Sequence, residues 1–180
     1  CIVFQHIYKD LQLNGMFMAI VNMVIFISFQ TRRSEVDSLT FIGNRNCFFE
    51  ELSLRIASRQ YFQVVLVCLK QFSLVNEKFS YKKGDEFLYN IARELDHILP
   101  GAKAFRFGNV EFAVLLPYAT EEESTGSLKR IQERFEERWE LGAVGSYIQA
   151  YFTDVIYRGQ EWNATQIIEY LESGIHYAKK

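Results

Sequence analysis

A chain of 180 residues, 49% hydrophobic and 23% charged, is long enough to bury one full core and too apolar to be intrinsically disordered. A formal charge of −2 supplies no basic field for a nucleic-acid backbone, which argues against DNA or RNA as a partner and requires any nucleotide ligand to be gripped locally. The three cysteines, Cys1, Cys47 and Cys68, form no CxxC pair and no metal-ligand spacing, and they read as buried reduced thiols of a cytoplasmic domain.

The first segment to stand out is Met16 to Phe29, apolar except for Asn22 and Ser28. A membrane-spanning helix needs about 20 predominantly apolar residues, so the stretch reads in two ways. It is either the last helix of an inner-membrane or sensor region, with Arg32 and Arg33 on the cytoplasmic side, or an apolar helix that packs or oligomerises. Beginning at Cys1 without a basic leader, the chain reads as a piece of a longer protein rather than one opened by a signal peptide. The expected division is an attachment segment over 1–33 and a globular domain over 34–180.

Within that domain Phe48, Phe49, Leu52 and Ile56 recur at helical spacing behind Asn44 or Asn46 as a cap. Tyr61 to Lys70 is β-branched and almost wholly apolar, the pattern of a central strand covered on both faces. Gly84 reads as a break before a second helix carrying Phe87, Leu88, Ile91, Ala92, Leu95 and Ile98 and closed by Pro100 and Gly101. A hairpin follows, Lys103 to Phe107 and Val110 to Leu116, linked by Gly108 and Asn109 with the glycine at positive φ. Leu128, Ile131, Phe135 and Trp139 stripe a third helix, Val144 to Tyr157 reads as one strand, and Ile167 to Ala178 as the last helix. Asn163 reads as the cap of that last helix rather than as a glycosylation acceptor. Helices alternating with a mainly antiparallel sheet predict a two-layer α+β domain of the ferredoxin or polymerase-palm kind.

Four strings carry more than fold: DSLTFIGNR at Asp37 to Arg45, FSLVNEKFSYKKGD at Phe72 to Asp85, RFGNVEF at Arg106 to Phe112, and the terminal HYAKK. In order and spacing they resemble the GGDEF family, the diguanylate cyclases, over roughly residues 35–180. The resemblance implies a nucleotide-cyclase fold in which carboxylates at the end of the central strand and in the hairpin turn hold Mg²⁺ over a triphosphate.

Each string departs from the family where that chemistry sits. Cys68 stands in place of the strand aspartate, and a thiol is a poor ligand for Mg²⁺, which prefers hard oxygen. The hairpin motif reads Gly108, Asn109, Val110, Glu111, Phe112, so Val110 replaces an acidic residue and Glu111 alone remains as a metal ligand. Ser73 replaces a phosphate-contacting lysine, and Lys70 a second aspartate. The inhibitory RxxD motif falls on Leu99, Pro100, Gly101 and Ala102.

What the resemblance retains is recognition. Asn76 and Asp85 match the guanine-edge residues; an Asp carboxylate accepts from guanine N1–H and N2–H, and an Asn amide pairs with the remaining edge. Lys179 matches a phosphate-contacting lysine, and Arg106 the arginine two residues before the turn. Each has a plain local reading as well: Asp85 as a helix N-terminal acid, Asn76 as a turn residue, Glu111 as a solvated hairpin position, Cys68 as a small core residue, Lys179 as a C-terminal cation, and Asp37 as a structural turn residue. His6, His97 and His176 are too dispersed to form a metal site.

The expected function is a non-catalytic GGDEF-like regulatory domain that binds GTP, with Mg²⁺ only alongside a nucleotide. It pairs as a homodimer and controls a neighbouring output domain such as a C-terminal EAL phosphodiesterase, under an N-terminal membrane sensor. An active diguanylate cyclase and a ligand-free dimerisation module are the two alternatives.

Overall fold

The computed structural model describes residues 15–27, 35–117 and 120–180. The chain divides into two compact units, Cys1–Glu35 and Val36–Lys180. In the first, residues 15–27 form α1, whose side chains are exposed except for the half-buried Val21. Among the described residues no helix is long and apolar enough to cross a membrane, so the spanning reading of Met16 to Phe29 gains no support. Arg32 and Arg33, its expected flank, lie outside the described residues, as do Cys1 and His6.

The second unit runs β1 (Gly43–Asn44), α2 (Arg45–Ala57), β2 (Phe62–Leu69), α3 (Ser73–Phe79), α4 (Tyr81–His97), β3 (Lys103–Gly108), β4 (Glu111–Pro117), α5 (Glu121–Glu136), β5 (Arg138–Leu141), β6 (Val144–Tyr147), β7 (Ala150–Tyr157) and α6 (Ala164–Ala178). Five strands form a sheet in the order β1-β3-β4-β2-β7, with only β1–β3 parallel. The remaining two, β5 and β6, make a separate hairpin.

The apolar run of β2 dictates the layering. All eight of its residues are buried, and successive side chains point to opposite faces. Val65, Val67 and Leu69 pack with Phe87, Ile91 and Leu95 of α4 and Ile131 and Phe135 of α5. Val64, Leu66 and Cys68 pack with Phe48 and Leu52 of α2 and Ile167, Leu171 and Ile175 of α6. Each fully buried aliphatic or aromatic side chain contributes roughly 1.5–3 kcal/mol, so neither face can be left open to water. The domain therefore has helices on both faces, three layers where the element order alone suggested two.

Local chemistry sets the element ends. Asn44, not Asn46, caps α2, its Oδ1 accepting from the N–H groups of Asn46 and Cys47. Asn163 caps α6 in a reciprocal box with Gln166, as the helix-start reading required. Gly84 does not break the chain. It lies inside α4, and the break falls at Ser80, whose φ is +91°. Trp139 leaves the helical stripe because the backbone turns extended at Glu137 (φ −82°, ψ 159°). The indole then packs from β5 against Phe135, centroid to centroid 5.1 Å, with the Arg134 guanidinium over its ring at 3.7 Å. The single strand expected over Val144 to Tyr157 is two, β6 and β7.

Candidate functional site

The hairpin turn, the start of α2 and the first turns of α4 border an open cleft of about 500 Å³. Leu39 and Leu88 give it apolar walls, Asp85 stands exposed on one side, and Arg106, Gly108 and Asn109 bring β3 to the other. Asp37 is tied down by Thr40: its Oδ1 accepts from the Thr40 N–H at 2.8 Å and the Thr40 hydroxyl at 2.6 Å, the structural role expected of it.

Arg106 is only 8% exposed. Its Nη2 donates to the Asn109 carbonyl and its guanidinium lies 4.6 Å from the centre of the Phe112 ring, while Nη1 has no partner. Burial pulls its pKa down and the carboxylates of Asp37 and Asp85 push it back up. An arginine starts so far above neutrality that it stays cationic. The cleft thus carries a fixed positive charge and an exposed carboxylate.

Asn76, on α3, is not among the residues lining this cleft. Its Oδ1 lies where a Cβ on Gly84 would stand, so a glycine is needed there and the amide is held against the first turn of α4, one residue before Asp85. The fold brings the two expected guanine-edge residues side by side, but only Asp85 opens on the cleft.

At the other end of the hairpin a second group of side chains converges. Cys68 faces Glu111 across the β2–β4 ladder, and Lys179, at the C-terminus of α6, sets its Nζ 3.5 Å from Glu111 Oε1. Burial raises the Cys68 pKa, Lys179 draws it part of the way back, and Glu111 adds to the rise. For Lys179 burial works downward, but the neighbouring Cys68 and Glu111 outweigh it and the net direction is up. The group at neutral pH is therefore a protonated thiol beside an ammonium–carboxylate pair.

The hairpin itself turns one residue later than its sequence suggests. Gly108 ends β3, the link is Asn109–Val110, and none of the three has a positive φ. Gly108 serves close approach instead: a Cβ there would lie 2.7 Å from Glu111 Oε2. Val110 turns inward against both cores, where an acidic side chain would be expected to reach solvent and metal.

The Mg²⁺ implied by the resemblance does not fit these residues. Among the described residues no three His, Cys, Asp or Glu side chains cluster to hold a metal ion, and the one hairpin carboxylate already faces an ammonium. Ser73, first residue of α3, supplies no charge. The Lys70 ammonium lies over the Tyr151 ring at 4.2 Å, on the β7 side of β2 and away from the hairpin. Leu99, Pro100, Gly101 and Ala102 form the link after α4, with Gly101 at φ +76°. Sequence reasoning missed Leu39 and Leu88 as cleft walls; the placement of Leu88 three residues after Asp85, on the same helical face, is the pattern that could have found it.

Comparison with known proteins gives the same frame. Residues 34–180 match the family model described as diguanylate cyclase, GGDEF domain. The chain is 27% identical over 120 residues to the diguanylate cyclase DgcP of Escherichia coli, covering 64% of this chain and 35% of that protein. It is 33% identical over 103 residues to the probable diguanylate cyclase DgcT of the same organism, covering 56% and 23%. The chain thus spans about a quarter to a third of the length of these curated relatives. Among solved structures, the coiled coil and GGDEF domain of DgcB from Caulobacter crescentus, in complex with c-di-GMP, superposes with a TM-score of 0.74 at 17% identity, covering 94% of this chain and 93% of that one.

Proposed function

The chain belongs to the diguanylate cyclase GGDEF family, and from that premise we propose that residues 34–180 are a non-catalytic regulatory domain of cyclic-di-GMP signalling that binds a guanine nucleotide and controls an adjacent output domain. The observation that carries the reading is the Glu111–Lys179 pair beside the Cys68 thiol. Two metal ions over a triphosphate need several converging carboxylates, and here the last of them is held by an internal cation. Glu111 is left as a ligand only for a metal that displaces Lys179.

Recognition is supported by the cleft. Leucine walls suit the faces of a purine, and an exposed carboxylate suits the donor edge of guanine. GTP is the guanine nucleotide to test first, with Mg²⁺ arriving only as its companion. Residues 1–33 serve as the attachment to a preceding sensor, two copies pair, and an EAL phosphodiesterase is the kind of output such a domain would govern.

The test is incubation of the 180-residue chain with GTP and Mg²⁺, chromatography of the products, and calorimetric titration of the same mixture. The expected result is guanine-nucleotide binding without cyclic-di-GMP, the binding being lost in Asp85→Ala. Formation of cyclic-di-GMP would return the chain to the active cyclases. Absence of binding by every guanine ligand would leave a dimerisation module.

A further inference from the structure

We infer that the cleft beside Asp85 takes a guanine nucleoside or its monophosphate without a divalent ion, and discriminates against the triphosphate. The inference rests on the guanine reading of the cleft given above and departs from it in the class of ligand.

Charge decides the matter. Around the cleft Asp37 and Asp85 oppose Arg45 and Arg106, and Arg45 is already bound to Glu172 at 2.7 Å. Its field is close to balanced. A monophosphate adds about −1.5 to −2 charge at neutral pH, and each further phosphate adds more. That excess must be met by cations at the hairpin end, where the metal ligands are missing and Lys179 spends its charge on Glu111 at 3.5 Å. Glu111 also lies directly against Gly108, at the rim of the cleft, so a triphosphate tail running along the hairpin meets a carboxylate. Like charges at such separations repel appreciably even in water-rich surroundings. Ser73 and Lys70 offer no relief, the first uncharged and the second turned toward Tyr151.

The base, by contrast, finds what it needs. Asp85 is exposed and accepts from N1–H and N2–H. Arg106, 8% exposed, lines the cleft, and guanine O6 and N7 are the acceptors an arginine pairs with. Binding energy therefore concentrates on the base and falls away along the phosphates.

The experiment is calorimetric titration of the 180-residue chain with guanosine, GMP and GTP, each in EDTA and in Mg²⁺, with adenosine as the base control. The expected order places guanosine and GMP at least as tight as GTP, unchanged by Mg²⁺, with adenosine weaker by roughly 5- to 150-fold. In Glu111→Gln, where Lys179 is released, GTP should tighten roughly 5-fold or more. GTP binding tenfold tighter than GMP and dependent on Mg²⁺ would overturn the inference while leaving the guanine reading intact. Adenosine binding as well as guanosine, or no binding by any of them, would overturn both.

Discussion

Around Asp85 a carboxylate faces open space; around Glu111 the polar groups face one another. At the cleft an exposed carboxylate and a largely buried guanidinium border a volume of about 500 Å³ walled by leucines. At the hairpin end thiol, carboxylate and ammonium lie within reach of each other and need nothing from outside. Polar groups kept unsatisfied mark a place that gains by taking a ligand, whereas groups satisfied internally must first be pulled apart. Two ends of one sheet can therefore differ in what they offer a ligand while sharing the same backbone frame.

Restoring the lost ligands should disturb that contrast most. The double variant Cys68→Asp, Val110→Asp places carboxylates beside Glu111 at a buried position, and without divalent ions it should lose roughly 3 kcal/mol or more of stability. Millimolar Mg²⁺ or Mn²⁺ should recover much of it in thermal melts followed by circular dichroism. The unmodified chain should melt at the same temperature with and without the ions; a metal-dependent melting temperature there would erase the difference between the two ends.

A smaller effect is expected beside the cleft. Gly84→Ala puts a Cβ into Asn76 Oδ1 and should cost about 1–2 kcal/mol in urea unfolding, although alanine is the better helix former. In an Asn76→Ala background the sign should reverse, with a gain of roughly 0.5–1 kcal/mol. A loss in both backgrounds would mean that α4, rather than the amide, dictates the glycine.

The smallest change concerns pH. Burial raises the Cys68 pKa above its ordinary value of 9.0, so the stability the thiol contributes is fully present below about pH 9 and fades as the pH climbs through the raised value. Lys179, raised from 10.5, acts in the same direction at higher pH. Cys68→Ala should flatten the stability profile above pH 9, up to the onset of the lysine range. An equally steep profile would show that the thiol is not held in its protonated form by its surroundings.

Most of the fold was legible in the sequence because it is written in local patterns. The β2 run, the Asn163 cap and the stripe of α4 each declare themselves within about a dozen residues, and the cap of α2 narrows to Asn44 or Asn46. Coverage of β2 on both faces is written in its own apolar run, whereas the element order alone, which suggests two layers, does not say that α2 and α6 take the second face. Trp139 was assigned to a helix because its spacing from Phe135 fits a helix; a turn to extended backbone at Glu137 is invisible to spacing. Gly84 and Gly108 were both given the wrong reason. Each was read as a conformational device, and each in fact makes room for a side chain, Asn76 Oδ1 in one case and Glu111 Oε2 in the other. The missing carboxylates could be read directly at Cys68 and Val110. The pairing of Glu111 with Lys179 could not, because it joins residues far apart in the chain.

The position of β2 between β4 and β7 also governs how the chain reaches its native state. Its partner on one side, β4, follows only after α3, α4 and β3, and on the other side contacts such as Gln63 to Asp154 close a separation of 91 residues. β7 supplies Phe152 to one core and Val155 to the other, so neither hydrophobic layer is complete until it docks. Loop closure on that scale is slow, and until it happens an almost wholly apolar strand lies open along one edge. During synthesis, the nascent chain carries that sticky edge from the emergence of Leu69 until Ala150 and its neighbours follow, the interval in which chaperone capture and misassociation compete with folding.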